Sequence, residues 1–305
     1  MIEVRALTKR YERTLAVNDL SFQVRPGCVT GFLGPNGAGK STTIRVLMGL
    51  DAPSAGEALV GGRRYAELRR PLHEVGALLD ANAVHGGRSA FDHLLGLALT
   101  NGIGRRRVAE TLEQVGLAGV ARKRVGGYSL GMRQRLGIAA ALLGDPGILL
   151  FDEPVNGLDP EGVRWIRELL RGLAAAGRTV LVSSHLMSEV EQTADHLVII
   201  GRGRLIEDAT VRDLADRFQT GVLVRSPRAA ELASALESSG ASVTAEPDGG
   251  LSVTGLDVAG IADAAAQRAI PLHEVTARRA SLEDIYLLLT AGSVEHRSRD
   301  PRPAR

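Results

Sequence analysis

A glycine-rich loop directly follows a short apolar run, and this junction constrains the fold more than any other part of the sequence. The apolar run is Val29–Leu33, and the loop is Gly34-Pro35-Asn36-Gly37-Ala38-Gly39-Lys40-Ser41, with Thr42 next. Glycines let backbone N–H groups turn inward around phosphate oxygens, a lysine reaches the β- and γ-phosphates, and a serine hydroxyl can ligate Mg²⁺. A helix predicted from about Ser41 points its positive end at the same phosphates. The order of strand, loop and helix predicts a nucleotide site, against the alternative of a glycine-rich turn that binds nothing.

The use of lysine supports the nucleotide interpretation. Only Lys9, Lys40 and Lys123 are lysines among the 37 basic residues, and the rest are arginines. A compact ammonium fits between phosphate oxygens where a planar guanidinium does not. A lysine in the loop of such an arginine-rich chain therefore favours a phosphate-binding role.

Composition limits the class of protein. With 305 residues the chain has room for one large domain and a smaller one. A net charge of +2 gives no argument for a nucleic-acid partner, and none is expected. No apolar stretch reaches the roughly 18 residues that cross a bilayer, and no signal peptide opens the sequence, which predicts a cytosolic protein. The lone Cys28 argues against a disulfide framework or a cysteine zinc site.

Predicted strands and helices alternate from the N-terminus to about residue 215. This order is typical of a doubly wound α/β sheet with its ligand at the carboxyl ends of the strands. A Gly201-Arg202-Gly203 turn predicts a closing hairpin. The predicted strands are 2–5, 21–24, 29–33, 76–79, 148–151, 179–182, 197–200 and 204–206, and the predicted helices are 42–47, 91–99, 105–115, 130–143 and 161–176.

The composition changes after about Thr220. Residues 222–277 show the order β-α-β-β-α-β, which indicates a small ferredoxin-like α/β module, and residues 282–287 predict one more helix. Residues 292–305 are rich in arginine, proline and charge without periodicity, which predicts disorder. The predicted organisation is a nucleotide-binding domain over 1–218, an accessory α/β domain over 219–291 and a disordered tail over 292–305.

A second motif, which is acidic, narrows the class of nucleotide-binding protein to which the chain could belong. The apolar residues 148–151 deliver Asp152 to a strand end, where its carboxylate can hold Mg²⁺, and Glu153 follows at once, placed to polarise an attacking water. An ordinary strand ending in an acidic turn is the alternative. Downstream of a phosphate loop, the functional interpretation is favoured.

Two further features lie at predicted strand or helix ends. Ser129 is a good N-cap for the helix from residue 130, where free N–H groups can bind an anion, although a simple capped helix would look the same. His185 follows the strand 179–182 and the pair Ser183-Ser184. A lone histidine is usually structural, and only this position raises His185 above that expectation.

Taken together, these residues resemble the ATP-binding subunit of an ABC transporter over residues 1 to about 215, with all motifs in family order. The resemblance implies a P-loop NTPase cassette with a core parallel sheet, an antiparallel β subdomain and a helical subdomain. It implies ATP and Mg²⁺ as ligands and assigns roles to particular residues. Tyr11 would stack on adenine, Gly34 to Thr42 would hold phosphates, Ser41 and Asp152 would serve Mg²⁺, Glu153 would be the catalytic base, His185 would sense the γ-phosphate, Ser129 and Gly131 would form the signature motif, and Gly157-Leu158-Asp159 would communicate between subunits.

The resemblance also implies partners. In this family the signature of one subunit closes on the phosphate loop of another, so one of each per chain implies a dimer of two copies with two ATPs at its interface. The ending Leu282-Glu283-Asp284-Ile285-Tyr286 is similar to the daunorubicin- and bacitracin-resistance ATPases, which pair with a separate polytopic permease. This implies a peripheral protein at the cytoplasmic face of the cell membrane that exports a drug, an antibiotic or a lipid-like substrate.

Two positions depart from the family pattern. Asp80 stands where a glutamine should meet Mg²⁺ and the attacking water, and Leu130 replaces the first of two signature glycines. The Asp80 carboxylate can ligate the metal but adds negative charge beside a γ-phosphate, while Leu130 restricts the backbone near the partner's phosphate. We still expect an active ATPase.

Two alternatives belong to other functional classes. A soluble ABC ATPase acting on ribosomes or DNA is disfavoured because the chain has one cassette, no long insertion before the signature and no zinc cysteines. A P-loop GTPase or kinase would leave the Ser129–Arg135 motif and Tyr11 unexplained.

Overall fold

The structure is a computed structural model that describes residues 1–185, 187–279 and 281–290. The predicted disordered tail, 292–305, lies outside these residues. Contacts within the chain form two units, Met1–Val211 and Arg212–Leu288. The domain boundaries predicted after residues 218 and 291 stay predictions.

The first unit holds two sheets. Its strands are β1 (Ile2–Tyr11), β2 (Thr14–Val24), β3 (Val29–Leu33), β4 (Ala55–Val60), β5 (Val75–Leu78), β6 (Ile148–Asp152), β7 (Thr179–Ser184), β8 (His196–Gly201) and β9 (Arg204–Thr210). The larger sheet has the order β5-β6-β7-β3-β8-β9, with parallel pairing from β5 to β8 and β9 antiparallel at the edge. The predicted closing hairpin is confirmed as β8–β9, and Arg202 and Gly203 at its turn both have positive φ.

The smaller sheet is antiparallel, in the order β2-β1-β4. Its first two strands are 10 and 11 residues long, so the short strands predicted at 2–5 and 21–24 were wrong in length. The reason is a bulge: pairing shifts between Val4 and Leu7, and Ala6 between them has φ 47°. A bulge breaks the two-residue alternation of buried and exposed side chains on which strand prediction depends.

The helices of the first unit are α1 (Lys40–Leu47), α2 (Pro71–Glu74), α3 (Ala90–Thr100), α4 (Arg105–Gln114), α5 (Leu130–Leu142), α6 (Pro160–Ala175) and α7 (Met187–Glu191), with α8 (Val211–Arg217) following at the unit boundary. Helices α3, α4 and α5 pack together around fully buried leucines such as Leu94, Leu112 and Leu136. Among the described residues, no helix is both long and apolar enough to cross a bilayer.

The central position of β3 places the phosphate loop. All five residues of β3 are buried, as expected for a parallel strand covered on both faces, and β3 lies between β7 and β8. The loop after β3, the acidic pair at the end of β6 and His185 after β7 therefore all lie at the carboxyl ends of these parallel strands. Ligands bind at the carboxyl ends of the strands in open α/β sheets.

The second unit has its own sheet and core. Its strands are β10 (Gln219–Arg225), β11 (Ser242–Ala245), β12 (Leu251–Thr254) and β13 (Glu274–Arg279), and its helices are α9 (Ala229–Ser238), α10 (Val258–Gln267) and α11 (Leu282–Thr290). The sheet is antiparallel throughout, in the order β11-β12-β10-β13. Its core includes Val224, Leu232, Leu236, Val253 and Ile261, all nearly or fully buried.

Candidate nucleotide site

The phosphate loop forms one wall of a cavity of about 390 Å³. The cavity is lined by Ala16, Pro35, Asn36, Gly37, Ala38, Gly39, Lys40, Ser41, Thr42, Glu153, Asn156 and His185. The structure thus brings most of the predicted loop together with Glu153 and His185. At Gly39, φ is +105° and an added Cβ would lie 2.6 Å from the Ala16 carbonyl oxygen, so this turn into α1 requires glycine.

The Lys40 side chain folds back over its own loop. Its ammonium donates to the Gly34 carbonyl oxygen at 2.6 Å and to that of Pro35 at 3.4 Å, and the residue is only 7% exposed. Burial lowers the pKa of this ammonium, and the carboxylates of Glu153 and Asp152 act in the opposite direction. A buried cation at the centre of a loop of N–H groups is suited to polyphosphate.

The acidic pair is held by hydrogen bonds from the neighbouring strand. Ser183 Oγ, on β7, donates to Asp152 Oδ1 and accepts the backbone N–H of Glu153 at 3.0 Å. Glu153 has φ +50°, in the left-handed region that a residue with a side chain seldom adopts. Its carboxylate Oε2 lies 2.7 Å from His185 Nδ1. Two residues 32 positions apart in the chain therefore form one polar pair in the lining of the cavity.

Tyr11 lies outside the lining of the cavity. Its hydroxyl donates to Asp51 Oδ2 at 2.7 Å, and the same carboxylate oxygen accepts from Arg45 Nε at 2.7 Å. The Lys9 ammonium lies 4.7 Å from the centre of the Tyr11 ring. The hydrogen bond to Asp51 raises the pKa of the Tyr11 phenol, and Thr42, which does line the cavity, acts in the opposite direction. The residue is 40% exposed, which leaves area for a planar ligand.

The predicted signature residues and Asp159 also lie away from this cavity. Ser129 is the N-cap of α5, and its Oγ accepts the Met132 N–H at 3.2 Å, as the sequence predicted. Asp159 caps α6 by accepting the Gly162 N–H at 3.0 Å. Gly131 lies in the first turn of α5.

Asp80, the predicted metal ligand, is also absent from the lining of the cavity. The residue is exposed, and its Oδ1 accepts the Asn82 N–H at 2.8 Å. Within the described residues, no group of three or more histidine, cysteine or acidic side chains is arranged to hold a metal ion. The role of Asp80 as a metal ligand stays a prediction.

The Mg²⁺ prediction can be tested against the donors present. Ser41 lines the cavity, and the Asp152 carboxylate lies close enough to Lys40 to affect its pKa. Hydroxyl and carboxylate oxygens are the donors that Mg²⁺ prefers, with waters and substrate phosphates completing its shell. The residues present therefore fit Mg²⁺ bound together with a nucleotide.

Three residues of this region were missed by the sequence analysis. Gln134 of α5 is 5% exposed and contacts the backbone after Asp152, Ser183 orients the acidic pair, and Asn156 lines the cavity. An amide between Arg133 and Arg135 on the predicted helix 130–143 was the available signal for Gln134, and a serine pair ending an apolar strand was the signal for Ser183. Neither signal says which group the side chain meets.

Comparison with protein families supports the same site. A family model described as "ABC transporter" matches residues 17–156, which contain the phosphate loop, the predicted signature residues and the acidic pair. A model described as an AAA domain matches residues 124–191, and a domain of unknown function matches residues 220–283, which lie in the second unit.

Similar proteins and structures match about 70% of the chain. The uncharacterized ABC transporter ATP-binding protein YhcH of Bacillus subtilis is 42% identical over 70% of this chain and 71% of its own length. The bacitracin transport ATP-binding protein BcrA of Bacillus licheniformis is 41% identical over 71% and 72%, and the lantibiotic transport ATP-binding protein SrtF of Streptococcus pyogenes is 35% identical over 68% and 89%.

Among solved structures, an ATP-binding subunit of an ABC transporter is similar with a TM-score of 0.65 and 28% identity over 72% of this chain and 93% of its own. The cassette MJ0796, solved as a dimer bound to ADP and Pi, has a TM-score of 0.64 at 23% identity over 70% and 99%, which shows the shared fold. The first unit has the P-loop cassette fold with its mixed sheet. The chain belongs to the ABC transporter family, as an ATP-binding subunit with ATPase activity.

Proposed function

We propose that Glu153 is the general base of ATP hydrolysis and that His185 holds its carboxylate and senses the γ-phosphate. The observation that carries this proposal is the 2.7 Å contact between Glu153 Oε2 and His185 Nδ1 in the cavity that also contains Lys40. A carboxylate at that place can accept a proton from a water attacking phosphorus. The Lys40 ammonium and the N–H groups of the loop would bind the β- and γ-phosphate oxygens.

Ser41 and Asp152 are the proposed ligands of Mg²⁺, with Asp80 as a further candidate. When bound, the ion neutralises negative charge on the phosphate oxygens. Ser41 of α1 and Asp152 of β6 would each supply an oxygen donor to the ion. Ser183 orients the Asp152 carboxylate through the hydrogen bond described above.

The second proposed feature is a sandwich dimer, in which two copies of the chain hold two ATP molecules between them. Ser129, Gly131 and Asp159 lie outside the cavity of their own chain, which supports a role at the nucleotide of the other copy. Helix α5 offers its N-terminus for that contact, where Ser129 already accepts the N–H groups of Met132 and Arg133. Tyr11, held beside the phosphate loop by Asp51, is the proposed platform for the adenine ring.

We further propose that this subunit couples ATP hydrolysis to export through a separate polytopic permease at the cytoplasmic face of the membrane. Two relatives are named for bacitracin and lantibiotic transport, which supports a drug, an antibiotic or a lipid-like compound as the substrate. For the second unit we propose a ferredoxin-like module, supported by its β-α-β-β-α-β order and its antiparallel strand order.

The experiment that tests the proposed function is Glu153→Gln. The amide keeps the shape of the side chain but cannot accept a proton, so turnover of Mg-ATP should fall at least about 100-fold. ATP should remain bound, and the protein should elute as a dimer in Mg-ATP by size-exclusion chromatography with light scattering. Unchanged turnover would reject Glu153 as the base, and a monomer without bound nucleotide would reject the sandwich.

A further inference from the structure

The Gln134 side chain is buried against the loop that carries the proposed base. Gln134 is 5% exposed, and its Nε2 donates to the Pro154 carbonyl oxygen at 2.8 Å and to that of Glu153 at 3.3 Å. Buried amide donors are almost always paired, and a carbonyl left without its donor in such a place is costly. The two contacts therefore hold the backbone of residues 153 and 154 against α5.

The backbone conformation of Glu153 is one that surrounding contacts must stabilise. Its φ of +50° is unfavourable for a residue with a Cβ and persists only when the surroundings impose it. Ser183 Oγ of β7 accepts the Glu153 N–H at 3.0 Å, while Gln134 of α5 donates to the Glu153 carbonyl. Side chains from two different elements thus hold both polar groups of this one peptide position.

The direction of the Glu153 carboxylate depends on that backbone conformation. A change of φ at Glu153 would rotate the Cα–Cβ bond and carry Oε2 away from His185, which it now meets at 2.7 Å. The nearby Asn156 N–H also bonds to the Glu153 carbonyl at 3.3 Å, but it belongs to the same loop and would move with it. Gln134 belongs to the 13-residue helix α5, so its position does not depend on the conformation of the loop.

We propose that Gln134 is a positioning residue for hydrolysis: its amide holds the 153–154 backbone so that the Glu153 carboxylate stays directed at His185 and at the attacking water. The proposal rests on the proposed role of Glu153. Gln134 lies outside the lining of the cavity and acts through the carbonyl oxygens of the loop.

The test uses the full-length protein and the variant Gln134→Met, which keeps the length of the side chain and removes the donor. We expect kcat for Mg-ATP to fall at least tenfold while KM stays within twofold. The matched control is Gln114→Met, at an exposed position at the end of α4, which should keep both constants. A kcat within twofold of the unmodified protein would overturn the proposal.

A second measurement separates positioning from a general structural role. In the Glu153→Gln background, adding Gln134→Met should leave the remaining slow rate and the retained ATP unchanged, because the group that Gln134 positions is already absent. An equal further loss in both backgrounds would overturn the proposal. If Gln134→Met does not fold, Gln134→Asn, which keeps the amide but is one methylene too short, should show the same dependence on Glu153.

The two proposals fail in different ways. Full turnover by Glu153→Gln would reject the base itself. An inactive Glu153→Gln together with a fully active Gln134→Met would leave the base in place and reject only the role of Gln134.

Discussion

The Leu130 side chain lies directly over the Cα of Gly157. A Cβ added at Gly157 would stand 2.0 Å from Leu130 Cδ2 and 2.9 Å from its Cγ, and Gly157 has φ +73°. Leu130, which we predict to stand in place of a signature glycine, therefore fills the space above a glycine in the loop between β6 and α6. Leu130 and Gly157 therefore fit together within one chain.

This relationship predicts a specific pattern of stability. Gly157→Ala should lower the free energy of unfolding by about 1–3 kcal/mol, because the new methyl overlaps Leu130 and because alanine disfavours positive φ. In the double variant Leu130→Gly/Gly157→Ala the part due to overlap should be recovered and the part due to φ should remain. Urea unfolding measures the unmodified protein, the single variants Leu130→Gly and Gly157→Ala, and the double variant.

The control for this pattern is Gly172→Ala in α6, where an added Cβ meets nothing within 4 Å. There alanine should stabilise the protein by about 0.5–1 kcal/mol, since glycine is a poor helix former. Equal losses for Gly157→Ala with and without Leu130 would show that the leucine does not occupy this space in solution.

ATP affinity should fall at alkaline pH earlier than an ordinary lysine would predict. Burial lowers the pKa of Lys40 in the free protein, and bound phosphates would raise it, so binding takes up a proton in the window between the two values. Affinity is complete below this window and is lost as pH rises through it. Calorimetry between about pH 8 and pH 10, in buffers of different ionisation enthalpy, should detect the proton uptake.

The matched variant for the pH experiment is Lys40→Met, which lacks the titrating group. It should bind ATP weakly, with no proton uptake over the same range. Identical uptake in both proteins would assign the proton to another group.

The Tyr11 ring, rather than its hydroxyl, should determine ATP affinity. Tyr11→Ala removes the platform and should weaken ATP binding by about 0.5–1.5 kcal/mol, which is about two- to tenfold. Tyr11→Phe loses the hydrogen bond to Asp51 but keeps the ring, so its affinity should stay within about twofold. Fluorescent-nucleotide titration compares them, and equal losses in the two variants would contradict stacking.

Turnover should depend on a divalent cation through Asp152. Chelation should abolish hydrolysis, and Asp152→Asn should lower turnover at least about 100-fold even in excess Mg²⁺, because a neutral amide is a poor ligand for a hard cation. The control Asp145→Asn alters a carboxylate that pairs with Arg178 and Arg107, 64% exposed, and should keep its activity. Phosphate release assays at graded Mg²⁺ measure both. Full activity in chelator would reject the metal site.

The local features of this chain could be predicted because they depend on neighbours in sequence. The buried strand β3, the loop after it, the N-cap at Ser129 and the β8–β9 hairpin turn all lie within short windows whose residue types encode their conformation. The strands β1 and β2 were predicted too short, because a bulge at Ala6 interrupts the pattern that such a window contains.

Sequence alone determined that this is a nucleotide-binding α/β protein with an acidic pair and a histidine at strand ends. Only the tertiary structure decided which side chains meet. Glu153 reaches His185 because β6 and β7 pair in parallel and their carboxyl ends lie side by side. Gln134 reaches the 153–154 carbonyls because α5 packs beside the end of β6. Such contacts join residues about 20 to 30 positions apart and depend on how whole elements pack, which no local pattern of burial or turn chemistry specifies.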